Sequence, residues 1–299
     1  MMMIIMAGLS AWASSDPLSI PVVRGEDIYG NATVLDQHIV RTLSALGSVV
    51  SIVYCHQNNI QLNDPSPHAS FAKNLLTMMG LIDKNSIKPS PGQVSELEDL
   101  LLLHAEHGIY NATAAFLHYT STHTDPISCL VAALVAIYGP LHGGSNIITF
   151  RQLQTIGKVE NIPKLIQDVI ERKQRLFGFG HRIYRAVDPR ASILRERMLQ
   201  AKQQGNDVPY LDVALELDRI VSTNHFFTSR NLKANTDLYT VIAYQAIGIP
   251  EELVFPFICI SRAQGFLAHW REFMSENPPT WRPQQVYIGP EAIPLGSKL

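Results

Sequence analysis

The sequence predicts a nearly all-α protein. Three observations carry this: apolar residues recur at intervals of three and four along most of the chain, prolines and glycines stand where helices begin and end, and alternating strand patterns are scarce. The stretch from Leu35 to Cys55, with Ile39, Leu43, Leu46, Val49, Val50 and Val53 at helical spacing, predicts a long helix. A second is expected from His68 to Leu81, after the turn-rich residues 63–67. A third follows Pro91-Gly92 and runs through Leu100 and Leu103 to about His107. Asp125-Pro126 opens another toward Tyr138, ended by Gly139-Pro140. Later helices are expected over Ile162 to Lys173, Arg190 to Gln203, Pro209 to Thr223, Asp237 to Ala246 and Glu251 to Phe273. Pro189, Pro209 and Pro250 sit where a helix start tolerates a missing N–H. No internal repeat or low-complexity tract interrupts this order.

The 299 residues are 46% hydrophobic and 17% charged, enough for a sizeable core in one large domain or two smaller ones. A net charge of −2, with Lys and Arg scattered, argues against nucleic acid or an acidic membrane as partner. Cys55, Cys129 and Cys259 are odd in number, far apart and set in apolar stretches, so they are expected as buried free thiols in a reducing compartment. The opening MMMIIMAGLSAWASS imitates a signal peptide but has no basic residue before Arg24, so a core helix is expected instead. No run reaches the roughly 18 apolar residues of a membrane span. The last three residues, Ser297-Lys298-Leu299, match the strict form of a peroxisomal address.

Four segments hold potential catalytic groups beside glycine or proline. In Gly139-Pro140-Leu141-His142-Gly143-Gly144-Ser145-Asn146, the glycines let a ligand approach the backbone next to His142. Taken alone, this segment reads equally well as a helix cap with an incidental histidine. Phe177-Gly178-Phe179-Gly180-His181-Arg182 puts glycines directly before His181, with Arg182, Arg185 and Arg190 as nearby cations. The spacing is not that of a dinucleotide loop. Arg190 falls at an expected helix start, where orphan N–H groups also favour anions. In Asn235-Thr236-Asp237, the aspartate is either an ordinary acidic first-turn residue or a general base that needs partial desolvation. In Ser261-Arg262-Ala263-Gln264-Gly265, an arginine within an apolar helix must snorkel or meet a buried anion. His104 and His107 stand three apart in H-A-E-H, on one face if the helix continues. No third ligand at a recognised spacing follows, so no metal is expected.

Together these segments resemble the citrate synthase family over about residues 6–289. The motifs are G-P-L-H-G-G at His142, G-F-G-H followed by D-P-R at His181 and Arg190, and N-x-D-x-Y at Asp237. H-A-E-H, S-R-x-x-G-x-x-A-H-W and R-P-x-x-x-Y-x-G also match. The resemblance implies an all-α citrate synthase-like fold acting as a homodimer. Its large domain would span residues 1–146 plus 249–299 and its small domain residues 147–248, with a cleft that closes on the first substrate. It implies a transferase that condenses an acyl-CoA with oxaloacetate to citrate or a 2-alkylcitrate plus free CoA. No metal or organic cofactor would be needed.

In that scheme Asp237 takes the α-proton of the acyl-CoA, His142 stabilises the enolate, and His181 polarises the oxaloacetate carbonyl. Arg190, Arg262 and His107 hold its carboxylates, with Arg282 reaching in from the other subunit. Asn235, Gly178 and Gly180 lie near CoA. The donor could be acetyl-CoA, propionyl-CoA or a longer acyl-CoA serving secondary metabolism.

The chain departs from the family at three points. It begins inside the large domain, where relatives usually carry a further N-terminal segment. It reads Leu232-Lys233-Ala234-Asn235 where a proline usually precedes the asparagine. Ser145 stands for the usual alanine, a change expected to be small. The rival readings are a non-catalytic homologue that binds CoA or a dicarboxylate, and a metal hydrolase built on His104 and His107.

Overall fold

The computed structural model of the chain describes residues 1–27, 29–82, 88–140, 142–181, 184–276 and 279–289. Among these residues the regular structure is helical, as the apolar spacing predicts. In chain order the helices are α1 (Met2–Ala13), α2 (Ser19–Val23), α3 (Ala32–Asn58), α4 (Phe71–Met78), α5 (Pro91–Leu103), α6 (Asn111–Thr120) and α7 (Pro126–Tyr138). They continue as α8 (Ser145–Ile156), α9 (Ile162–Ile170), α10 (Pro189–Gln203), α11 (Leu211–Thr223), α12 (His225–Thr228), α13 (Asp237–Ala246) and α14 (Glu251–Glu276). Ser297-Lys298-Leu299, Leu141 and Arg182 lie outside the described residues.

Side-chain oxygens start several helices. Asn31, Ser70, Ser90, Asp125 and Asp188 each accept from first-turn N–H groups of α3, α4, α5, α7 and α10. Proline opens α5, α7 and α10, where its missing N–H costs nothing. The Ser70 cap moves the start of α4 to Phe71 rather than His68. Left-handed backbone at Arg172 and Tyr210 ends α9 before Lys173 and delays α11 to Leu211. The sequence does not announce α2, α6, α8 and α12; of these α2, α6 and α8 start with no side-chain cap. The expected third helix stops short: α5 ends at Leu103, and residues 104–108 leave it as a loop.

The N-terminal stretch is a core helix, with Met2, Ile5, Met6, Leu9 and Ala13 buried. Helix α3 is long and apolar enough on average to span a membrane, with a mean hydropathy of 1.4 in its most apolar window, but half of that window is packed inside the protein. Helix α14 packs against α3, α5, α6 and α7, and α1 lies on α3 and α7. Phe116 of α6 stacks on Phe266 of α14 at 5.5 Å within this mass. A second group forms around α13, which contacts α8, α10 and α11. The three cysteines are free and buried.

Candidate active site

The three candidate catalytic residues come from three chain junctions. At the turn from α7 to α8, the His142 N–H donates to the Gly139 carbonyl (3.0 Å) and the Gly143 N–H to the Ile137 carbonyl (2.9 Å). A Cβ on Gly143 would run into the Phe255 ring and stand 2.8 Å from the Ile137 oxygen, so the turn requires glycine there. His142 is thereby held at the entrance to α8. Burial holds its proton affinity below the ordinary histidine range, opposed by a backbone hydrogen bond at Ala136 and aided by the Arg262 charge.

The strand-like pairing of Phe179 with Ala234 ties the second junction to the third. The Gly180 N–H donates to the Lys233 carbonyl (2.7 Å) and the Asn235 N–H to the Gly178 carbonyl (3.0 Å). Gly178 and Gly180 have φ of 81° and 85°, in the left-handed region that glycine tolerates. A Cβ at Gly178 would also press on Thr149 and Leu238, so backbone packing accounts for this residue. Asn235 uses both ends of its amide inside the fold. Its Nδ2 donates to the Gly180 carbonyl (2.9 Å), and its Oδ1 accepts from the Asp237 N–H (3.0 Å).

Asp237 is the first residue of α13, and Ser145 the first of α8. The Ser145 hydroxyl donates to Asp237 Oδ2 across 2.5 Å. Burial raises the proton affinity of Asp237, while the Ser145 bond and the Arg190 charge oppose it. That balance suits a general base.

His181 and His107 face each other through their Nε2 atoms at 3.1 Å. Tyr184 stacks on His181 at 4.3 Å, its N–H donates to His181 Nδ1 (3.1 Å), and its hydroxyl lies 3.5 Å from His107 Nδ1. Burial, reinforced by the charges of Arg190 and Arg262, pushes His107 down to about 4. Burial also lowers His181. Both rings are therefore neutral near pH 7, and an accepted bond at Nδ1 leaves the His181 proton on Nε2.

Two arginines complete the cluster. Arg190 grips Asp188 through Nε (3.1 Å) and a terminal nitrogen (2.8 Å). Arg262 is only 9% exposed, and its Nε donates to the His104 carbonyl (2.9 Å) rather than to a carboxylate. Burial and the neighbouring Arg190 bring its pKa down to about 10. The result is a cluster of two guanidinium groups beside neutral imidazoles, a donor set suited to an anion with two carboxylates.

The cluster brings together six predicted residues, His107, His142, His181, Arg190, Asp237 and Arg262, each either bonded to or within the field of another. It leaves out Arg282, which is exposed beside His118, Trp281 and Pro283. The expected one-face pairing of His104 with His107 is corrected. His104 caps the end of α5 and is buried between the Leu100 carbonyl (2.9 Å) and the Thr240 hydroxyl (3.3 Å), because the helix ends before His107. Among the described residues no three potential metal ligands converge.

Sequence reasoning passed over Asp188, which orients Arg190, and Tyr184, which braces His181; of the two only Asp188 carried a signal, as a cap residue before proline. Ser145, noted in the sequence as a small departure from alanine, has a hydroxyl bonded to Asp237.

Residues 1–284 match the family described as citrate synthase, C-terminal domain. A citrate synthase-like protein, oryE, of Aspergillus oryzae (strain ATCC 42149 / RIB 40) is 40% identical over 97% of this chain and 65% of its own length. Alkylcitrate synthase phiJ of Fungal sp. (strain ATCC 74256) is 33% identical over 96% of this chain and 63% of its own. The chain thus spans less than two thirds of the length of these curated relatives. Peroxisomal and glyoxysomal citrate synthases are among the other relatives. A citrate synthase from Thermoplasma acidophilum, solved as a ternary complex with carboxymethyl coenzyme A and oxaloacetate, superposes with a TM-score of 0.83 at 28% identity. The match covers 97% of this chain and 74% of that one.

Proposed function

The chain belongs to the citrate synthase family, and from that premise we propose that it condenses an acyl-CoA with oxaloacetate, giving citrate or a 2-alkylcitrate and free CoA. The observation that carries this reading is the meeting of a raised carboxylate, Asp237, with neutral imidazoles and two arginines.

Asp237 removes a proton from the α-carbon of the thioester, and the electron pair moves onto the thioester oxygen. His142 donates a hydrogen bond to that oxygen, a contribution typically worth about 10²–10³ in rate for one such donor. The α-carbon then attacks the oxaloacetate carbonyl carbon. His181, with its proton on Nε2, meets the oxygen on which charge grows. Arg190, Arg262 and His107 hold the dicarboxylate. Water then cleaves the thioester and releases CoA. No metal or organic cofactor enters the scheme, because imidazole N–H and guanidinium groups meet each developing or resident charge.

The packing of α13 on α8, α10 and α11, and of α14 chiefly on α3, α5 and α6, supports a division into residues 1–146 plus 249–299 and residues 147–248, with α14 touching α8 and α13 where the two parts meet. The catalytic junctions would then border a closing cleft. CoA would run past Gly178, Gly180 and Asn235, meeting backbone there, since the Asn235 amide is already used. A homodimer in which Arg282 reaches the partner's site accords with its position away from this chain's own cluster. Ser297-Lys298-Leu299 and the peroxisomal relatives support a peroxisomal location. The alkylcitrate synthase relative supports a donor longer than acetyl.

The test is purified protein with oxaloacetate and a panel of acetyl-, propionyl- and long-chain acyl-CoAs, read by free thiol release. Turnover with one donor, lost in Asp237→Ala while oxaloacetate still binds, is expected. A folded protein that releases no CoA from any donor overturns the reading in favour of a non-catalytic binding homologue.

A further inference from the structure

The bond between Ser145 and Asp237 joins two helix starts. Each residue opens its helix, α8 or α13, so the first-turn N–H groups of both helices are directed toward this region. Neither helix has a side-chain cap of its own. The Ser145 hydroxyl spans the gap to Oδ2 at 2.5 Å. The Asp237 backbone is fixed separately, by its N–H to Asn235 Oδ1. A carboxylate has two oxygens, and only one is engaged by Ser145. An alanine at position 145 would have no atom to offer it.

We propose that Ser145 is a positioning residue that holds the Asp237 carboxylate by Oδ2 and thereby presents Oδ1 as the atom that takes the proton. The inference rests on the condensing-enzyme reading, because it assigns Asp237 as the base. The hydroxyl works in two ways. It stops rotation of the carboxylate about its terminal torsion, which is otherwise broad for aspartate. It also favours the charged form, opposing the effect of burial on the carboxyl. When Oδ1 accepts the α-proton, Oδ2 becomes the carbonyl oxygen of the neutral acid and still accepts from Ser145. No second proton has to move.

The test compares the full chain with Ser145→Ala and Ser145→Thr, which keeps a hydroxyl. Two measurements are made on each. The first is the titration of the Asp237 carboxyl by carbon-13 NMR without substrate, located by its absence in Asp237→Ala. The second is kcat and KM against pH. Ser145→Ala is expected to move the carboxyl titration and the acidic limb of kcat upward together. It should lower kcat about tenfold on the plateau through lost orientation, with KM for oxaloacetate unchanged. Ser145→Thr is expected to restore both. An unmoved carboxyl titration in Ser145→Ala overturns the proposal, whether or not the protein turns over. Absence of turnover in the parent chain alongside a shifted titration would overturn only the functional reading beneath it.

Discussion

The Nε2 atoms of His107 and His181 stand 3.1 Å apart with their rings near perpendicular. Two protons cannot share that gap, so one ring donates and the other accepts. The Tyr184 N–H at His181 Nδ1 makes His181 the donor. His107 then carries its proton on Nδ1, toward the Tyr184 hydroxyl at 3.5 Å. Imidazole nitrogen-15 spectra at pH 7 are expected to report both rings neutral, with the proton on Nε2 of His181 and on Nδ1 of His107. An imidazolium signal from either ring would contradict this. On addition of oxaloacetate, the His181 proton should leave His107 for the ligand.

The two arginines should differ in kind from lysine. Arg190 is preset by two bonds to Asp188, and Arg262 by one to the His104 carbonyl. A lysine at either place keeps the charge but loses the planar fork. Arg190→Lys and Arg262→Lys are each expected to raise KM for the dicarboxylate at least about tenfold, the loss of one charged hydrogen bond. Steady-state kinetics at fixed acyl-CoA checks this, and unchanged KM in both variants would remove the clamp.

Asn235 links the His181 segment to Asp237 through both ends of its amide. Asn235→Ala should therefore cost kcat about 10²-fold, by misplacing two groups at once. Asn235→Asp should fare little better, because it cannot donate to the Gly180 carbonyl. Thermal melts of both variants must stay near the parent for the result to count as positioning.

Acid should destabilise the protein in part through His104. His104 takes up a proton near 6.5 when unfolded but only near 4 in the fold, chiefly because it is buried. Between those values the unfolded state holds more protons, so stability falls as pH falls. Urea midpoints measured from pH 7 to 4 are expected to decline. The decline should be shallower in His104→Gln, and an equal slope would remove His104 as a cause.

Gly143→Ala should be costly for a plain steric reason. The new Cβ would overlap the Phe255 ring and press on the Ile137 carbonyl. A loss of about 1–3 kcal/mol is expected in urea unfolding. Kinetics should suffer as well, since His142 is carried by the same turn.

Most helices were legible because their signals are local. Asn31, Ser90, Asp125 and Asp188 mark starts that the apolar spacing then continues, and α13 runs from Asp237 to Ala246 as the pattern predicts. The end of α5 was not legible. His104 turns in to Leu100 and Thr240, and Thr240 lies 136 residues away, so nothing in H-A-E-H announces the break. The candidate site was legible as a set of motifs but not as contacts. Ser145 sits 92 residues from Asp237, and its hydroxyl acquires meaning only when α8 and α13 meet. The Asn235 bond to the Gly180 carbonyl was not legible, because those two residues are 55 apart and meet only through the Phe179–Ala234 pairing.

That pairing has an engineering consequence. From His142 two peptide steps lead to Gly144 and a third to Ser145; one hydrogen bond reaches Asp237, two residues back stands Asn235, and a second hydrogen bond reaches Gly180, next to His181. The path between the three reacting groups is a short chain of stiff links, so positional error has few joints in which to accumulate. Drift in the outer helices can shift the assembly as a whole with little change to its internal spacing. Loosening either of the two hydrogen bonds would let the spacing itself wander.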